Sequence, residues 1–170
     1  MKTLLTIPDT EIMVHWLQLA VAEYTGVSDF PHYAAEDAPS SYQDLLTWSQ
    51  GHVLGVDPLP VFSGGSDRSI YGSDSANHLF RAWHDAIHIK EQLRFTEKDE
   101  LKVSDMHCAV LRYIGAPYAV IKALEADVAG QVKYFYLTGK YVADQLGFVT
   151  DCLRYGIETV IHFVEMGARY

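Results

Sequence analysis

Residues 77–92 read NHLFRAWHDAIHIKEQ, and the spacing of apolar and polar residues in this stretch predicts an amphipathic α-helix. At about 100° per residue, Leu79, Phe80, Trp83, Ala86, Ile87 and Lys90 fall on one side. His78, Arg81, Asp85, His88 and Gln92 fall on the opposite side, and His84 stands at its edge. Three of the chain's eight histidines therefore lie within eleven residues of one helix. His84 and His88 are spaced i,i+4, and His78 and Asp85 are spaced i,i+7, so each pair covers one stretch of helix surface.

The same helical rhythm continues on both sides. Ser75 is the expected cap of this helix, which should run to about Leu93. Thr96 opens the next helix, with Asp99 three residues on as an approximate capping box and Gly115 at its close. Pro117 suits the first turn of a helix reaching Gly139. Residues 141–166 are helical in pattern, with Gly147 and Gly156 as the places for a kink or split. Upstream, Asp9 or Thr10 caps a helix to about Tyr24, with Ile12, Trp16, Leu19 and Ala20 as its apolar stripe. Ser40 or Ser41 starts a short helix through Leu45, Leu46 and Trp48 that ends near Gly51. Between them and the histidine helix, residues 51–75 are dense in Gly, Pro, Ser and Asp, with room for short extended segments. A loop of this length in a compact domain is often functional. The expected architecture is all-α: one helical bundle spanning residues 1–170, of five or six helices, with a long irregular loop at 51–75.

Bulk properties fit that expectation. The chain has 170 residues, 49% hydrophobic and 21% charged, an ordinary globular composition. A chain of this size buries roughly 70% of its unfolded surface without staples. Cys108 and Cys152 form no metal or redox motif and read as reduced thiols of a cytoplasmic protein. The opening MKTLLTIPDTEI lacks the features of a signal peptide. No window approaches the roughly 18 apolar residues that would span a bilayer, so no membrane partner is expected. A net charge of −9 argues against a broad nucleic-acid surface. A nucleotide is still compatible, because its phosphates can be met by a metal or a few local cations.

The histidine-rich face has a chemical use. Neutral imidazole and carboxylate together suit Zn, Mn, Fe or Ni, and the expected cofactor is a divalent metal: Mn, Zn, Fe or Mg. A bound metal lowers the pKa of its water toward about 7 and makes a nucleophile at neutral pH. Equally, a polar face opposite an apolar stripe is what any surface helix shows.

The segment His84-Asp85-Ala86-Ile87-His88 resembles the core signature of the HD-domain metal-dependent phosphohydrolases. That resemblance implies a helical bundle in which an early His, a His-Asp pair and a late Asp surround a metal, and a substrate that is often a nucleotide. By position, His52 would be the early His, His84 and Asp85 the central pair, Asp127 the late Asp, and His88 an additional His. Ile87 stands where those members usually have Gly, and His52 falls beside Gly51 at an apparent helix end. Residues 71–88, YGSDSANHLFRAWHDAIH, are also similar to small uncharacterised phage and bacterial proteins, which implies a phage origin and no particular activity.

Further candidates lie downstream. Glu100 and His107 are i,i+7 and share a face that could complete a site with the histidine helix; a solvated face explains them too. Asp127, Gln131 and Tyr134 line one stripe opposite Leu124, Val128 and Phe135, as a polar pocket or as helix surface. Tyr134, Tyr136, Tyr141 and Tyr155 make the C-terminal third aromatic, for packing or for an interface. Gly64 and Gly65 form no phosphate loop, since no Lys-Ser/Thr follows.

Three functions stay open at this point. The first is a metal-dependent hydrolase of phosphoesters or nucleotides. In it His84, Asp85, His88, His78, His52 and Asp127 supply the metal site, and Asp85 and Arg81 act in catalysis. Lys90, Gln131 and Tyr134 then meet a small-molecule substrate. The second is a di-iron helical-bundle oxidoreductase, for which Glu158 and His162 are one residue too far apart for the usual Glu-x-x-His. The third is a non-catalytic binding or inhibitor protein, a homo-oligomer through its Tyr-rich end.

Overall fold

A computed structural model of the chain describes residues 5–65 and 68–170. It is mostly helical, as the sequence predicts: α1 (Thr10–Thr25), α2 (Tyr42–Gly51), α3 (Asp74–Glu91), α4 (Glu97–Tyr113), α5 (Tyr118–Glu125), α6 (Gln131–Thr138), α7 (Gln145–Tyr155) and α8 (Ile157–Glu165). A π-helical segment, Ala126–Gly130, joins α5 to α6, so these three form one continuous rod. No helix among the described residues is long and apolar enough to cross a membrane.

The boundaries follow local chemistry. Ser41 and Thr96 accept hydrogen bonds from the backbone N–H of Asp44 and Asp99, so α2 and α4 are capped as their sequences predict. The cap of α3 is Ser73, not Ser75: Ser73 is extended, its hydroxyl accepts from Ala76 N–H, and Ser75 already lies inside the helix. Gly26 and Gly139 end α1 and α6 in the left-handed conformation. The C-terminal stretch splits at Gly156, whereas Gly147 lies within α7 without breaking it.

Two short strands stand outside the helical plan. β1 (His32–Ala35) and β2 (Leu59–Phe62) pair in parallel, His32 opposite Leu59 through Ala35 opposite Phe62. Both pack on α3, which also meets α1, α2 and α4. The histidine helix is thus the central element, and Trp83, Ala82, Ala86 and Ile87 on it are fully buried. One contiguous apolar core joins them to Met13, Leu17, Phe30, Leu45, Leu59, Leu111, Leu124 and Phe148.

The stripe of α1 differs from the sequence expectation. Met13, Leu17, Ala20 and Val21 are buried, while Ile12 and Leu19 are each 43% exposed. The helix TEIMVHWLQLAVAEYT carries apolar residues nearly all round. Its own periodicity therefore selects no face; the neighbours α3, α4 and α5 do.

Candidate metal centre

Gln92 decides how α3 hands over to α4. It adopts φ 54°, ψ 38°, and is the single non-glycine with positive φ among the described residues. The chain turns sharply there, and α4 packs back along α3. Glu100, in the first turn of α4, is thereby brought opposite the His84/His88 edge of α3.

Three donor atoms meet across that contact. His84 Nε2 lies 3.1 Å from Glu100 Oε2 and 3.0 Å from His88 Nε2, and His88 Nε2 lies 3.4 Å from Glu100 Oε2. His88 is fully buried, and the side chains of His84 and Glu100 are 20% and 15% exposed. Ligands bonded to one ion at about 2.0–2.2 Å stand roughly 3.0–3.5 Å apart at adjacent tetrahedral or octahedral positions. The observed spacings match that range. These residues form a group that could hold a metal ion.

The surroundings suit it as well. His88 Nδ1 donates to the Leu93 carbonyl at 2.9 Å. A carbonyl only accepts, so Nδ1 carries a proton; without a metal the protonated ring also donates from Nε2 to Glu100, and the neutral ring would offer that Nε2 lone pair to an ion. An outer acceptor of this kind is what orients a metal-binding histidine. Phe95 packs edge-on against the His88 ring with centroids 4.7 Å apart, and Tyr136 donates to the Phe95 carbonyl at 3.2 Å.

The electrostatics are those of a charge-paired, partly desolvated cluster. Burial raises the Glu100 carboxyl, but hydrogen bonds from His84 and His88 and their charge outweigh it and hold Glu100 down at about 2. Burial lowers His88, and hydrogen bonding and charge from Glu100 reverse this, so His88 titrates above the ordinary histidine value. Asp85 is half-buried one residue along; desolvation lifts it to about 6 against the pull of His84 and His88.

The other candidate residues are distributed as follows. Asp85 is not one of the three converging donors. His52 ends α2 on the exposed surface, stacked on Trp48 at 4.8 Å with Nδ1 bonded to the Trp48 carbonyl. His78 reaches the Ser63 carbonyl at 3.4 Å. Asp127 is buried in the π-helical segment, where Gln131 donates to it at 2.6 Å. Tyr134 is buried against Phe148, its hydroxyl 3.5 Å from the Tyr170 carbonyl. Lys90 is exposed and donates to the Tyr24 carbonyl at 2.9 Å, its ammonium 4.3 Å from the Tyr24 ring. The donor group thus includes His84 and His88 but not His52, His78 or Asp127, and its carboxylate comes from Glu100.

Arg81, one turn before Asp85 on α3, donates to the Phe62 carbonyl at the end of β2 and lies over the Phe62 ring. Burial lowers the pKa of its guanidinium, opposed by the negative charge of Asp85, Asp127, Asp74 and Tyr141. His107 takes up a fully buried place beside His84, the rings 5.4 Å apart. Two shallow surface depressions flank the start of α1, one along Thr10, His15 and Tyr71 and one along Ile7, Pro8 and Leu146; neither includes a donor residue. The roles of Leu93 and Tyr136 carry no sequence signal, since one acts through its backbone and the other as one tyrosine among eleven.

No protein-family model matches the chain, and no curated protein or solved structure shows significant similarity to it.

Proposed function

We propose that the chain is a metal-dependent hydrolase whose divalent ion is held by His84, His88 and Glu100. The observation that carries this reading is the convergence of three donors from two helices at 3.0, 3.1 and 3.4 Å. Three protein ligands, two His and one carboxylate, are the donor set of catalytic zinc sites that keep a position open for water. The ion supplies Lewis acidity and a water acidic enough to act near neutral pH.

The chain's own groups divide the remaining work. His88 is fixed in orientation by Leu93 and buried beneath Phe95. Asp85 stands beside the donors on the same helix and accepts the proton from the attacking water. Arg81 spends one N–H donor on Phe62, and its other donors suit a phosphoryl group. A phosphoester, nucleotides included, is therefore the substrate class proposed, in keeping with the HD-type His84-Asp85 pair. Glu100 takes the part that the HD resemblance implied for Asp127.

An oxidative iron centre is the second reading, because two histidines and one carboxylate also define non-haem iron(II) sites. A second iron pair at Glu158 and His162 gains no support: Glu158 pairs with Lys133 and His162 with Glu165, both at the surface.

The test begins with protein stripped by chelator and reloaded with Zn(II), Mn(II) or Fe(II). Hydrolysis of a p-nitrophenyl phosphodiester or a nucleoside triphosphate should appear with metal and vanish on chelation and in His84→Ala. Binding at 100 times Kd should add about 2.7 kcal/mol of stability, roughly 5–10 °C in Tm for a chain of this size. Metal binding without turnover on any phosphoester would point to the oxidative or the non-catalytic reading. No shift with any of the three ions would end the metal reading altogether.

A further inference from the structure

His107 on α4 is fully buried, and neither of its ring nitrogens has a hydrogen-bond partner. Its ring lies 5.4 Å from that of His84, 4.2 Å from Trp83 and 5.3 Å from Phe80. Two more buried nitrogens on these neighbouring rings also lack partners, Nδ1 of His84 and Nε1 of Trp83. Native proteins pair roughly nine in ten or more of their buried polar groups. A concentration of bare nitrogens around one metal-donor histidine therefore calls for a physical explanation.

We propose that His107 is a positioning residue for the metal centre, joined to Nδ1 of His84 through a single buried water. The inference rests on the reading of His84 as a metal ligand. His84 faces Glu100 and His88 with Nε2. A neutral imidazole that offers Nε2 to an ion carries its proton on Nδ1, and that N–H needs an acceptor to fix ring and tautomer. Leu93 provides this for His88. For His84 no protein atom bonds Nδ1 directly.

His107 is the polar side chain packed beside it. The two rings, their centroids 5.4 Å apart, make no direct hydrogen bond, so the link assigned here runs through one bridging water. Such a water needs two to four polar partners. His84 Nδ1 and a nitrogen of His107 are two, and Trp83 Nε1, on the indole against His107, is available as a third. Phe80 packs against both imidazoles, with centroids 6.0 and 5.3 Å away, and brings no competing polar group to that side. His107 touches neither ion nor substrate in this arrangement. It acts through the orientation of His84.

The experiment is a Zn(II) titration by calorimetry on the full chain as wild type, His107→Phe and His107→Gln, with the metal-free melting temperature of each. Wild type should bind zinc. His107→Phe should bind about 10–100-fold more weakly, the usual effect of losing an outer partner. Its metal-free melting temperature should stay at or above that of wild type, because phenylalanine removes the two unpaired His107 nitrogens from the core. His107→Gln should recover most of the affinity. Equal zinc affinity in His107→Phe and wild type overturns the inference while leaving the centre intact. A folded His107→Gln that fails to recover affinity overturns it too, placing the effect in packing. No zinc binding in wild type removes the centre itself. Should His107→Phe not fold, zinc-loaded wild type decides by 1H–15N spectroscopy: a protected Nδ1 proton on His84 in contact with bound water is expected, and rapid exchange with bulk solvent overturns the bridge.

Discussion

Glu100 on α4 and His84 on α3 stand 3.1 Å apart, carboxylate oxygen against Nε2, and this is the contact through which the second helix joins the histidine pair. Without the Glu100 carboxylate, the two imidazoles would be an i,i+4 histidine pair with no anionic partner opposite them. Glu100→Gln keeps the size of the side chain and removes its charge. Zinc affinity is expected to fall more than 100-fold, beyond the roughly 10–100-fold typical of an outer partner. Glu97→Gln, an exposed acid in the same first turn, should leave affinity unchanged. Parallel calorimetric titrations check both, and equal losses in the two variants would mean that bulk charge, not ligation, attracts the ion.

The same cluster sets opposite pH trends for the metal-free and metal-loaded protein. Glu100 is depressed from 4.5 to about 2 in the folded chain, so its contribution is present above pH 4.5 and lost as pH falls through 2. His88 is raised above 6.5, so its contribution is complete below pH 6.5 and lost as pH rises through its folded value. His107 is depressed well below 6.5 by burial, and its effect is finished by pH 6.5. Above pH 6.5, metal-free stability should therefore decline. Metal affinity should climb over the same range, because histidine must be neutral to bind. Melting scans from pH 6.5 to 8.5, with chelator and with zinc, should show the two curves separating. Parallel curves would contradict the assignment.

How much of this was legible in the sequence depended on whether local or distant contacts made the decision. The α3 helix could be read from its own 3.6-residue period, and Ser41, Thr96 and Gly139 mark ends by local hydrogen bonding or backbone freedom. The His84/His88 spacing placed two of the three donors. Glu100 was readable only as a candidate, because its position opposite them depends on the left-handed turn at Gln92, a residue type with no special claim to it. β1 was invisible: His32–Ala35 lacks alternation, and its parallel partner lies in a Pro-containing loop far along the chain. The HD-type assignments of His52 and Asp127 depended on sequence order, and the folded chain leaves one on the surface and draws the other into a π-helical turn.

Gly156 separates α7 from α8 at φ 90° and ψ 147°, backbone that L side chains rarely adopt. A Cβ there would meet no atom within 4 Å, so Gly156→Ala tests conformational strain alone. A cost of about 1–3 kcal/mol is expected, a fall of roughly 3–10 °C in Tm. The affected helices supply none of the three donors, so zinc affinity should be unaffected. Denaturation with a parallel zinc titration separates the two, and a joint loss would show that the α7–α8 break is coupled to the centre.

Asp127 tests whether the π-helical segment stores an unfavourable charge. It is 5% exposed, and burial lifts its carboxyl from 3.8 to about 7, opposed by the Gln131 hydrogen bond and the charge of Arg81. The sign follows from proton uptake: between pH 3.8 and 7 the folded chain holds a proton here that the unfolded chain has released. Asp127 is thus neutral toward stability below pH 3.8 and increasingly destabilising up to about pH 7, where the penalty levels off. Asp127→Asn retains an oxygen for Gln131 and cannot ionise. It should match wild type near pH 4 and exceed it at pH 7.5 by on the order of 2–4 kcal/mol. Comparing urea midpoints of the two proteins across that range isolates this carboxyl, because the other titrating groups are common to both. A variant less stable than wild type at pH 7.5 would instead mean that the ionised carboxylate, held by Arg81, supports the fold.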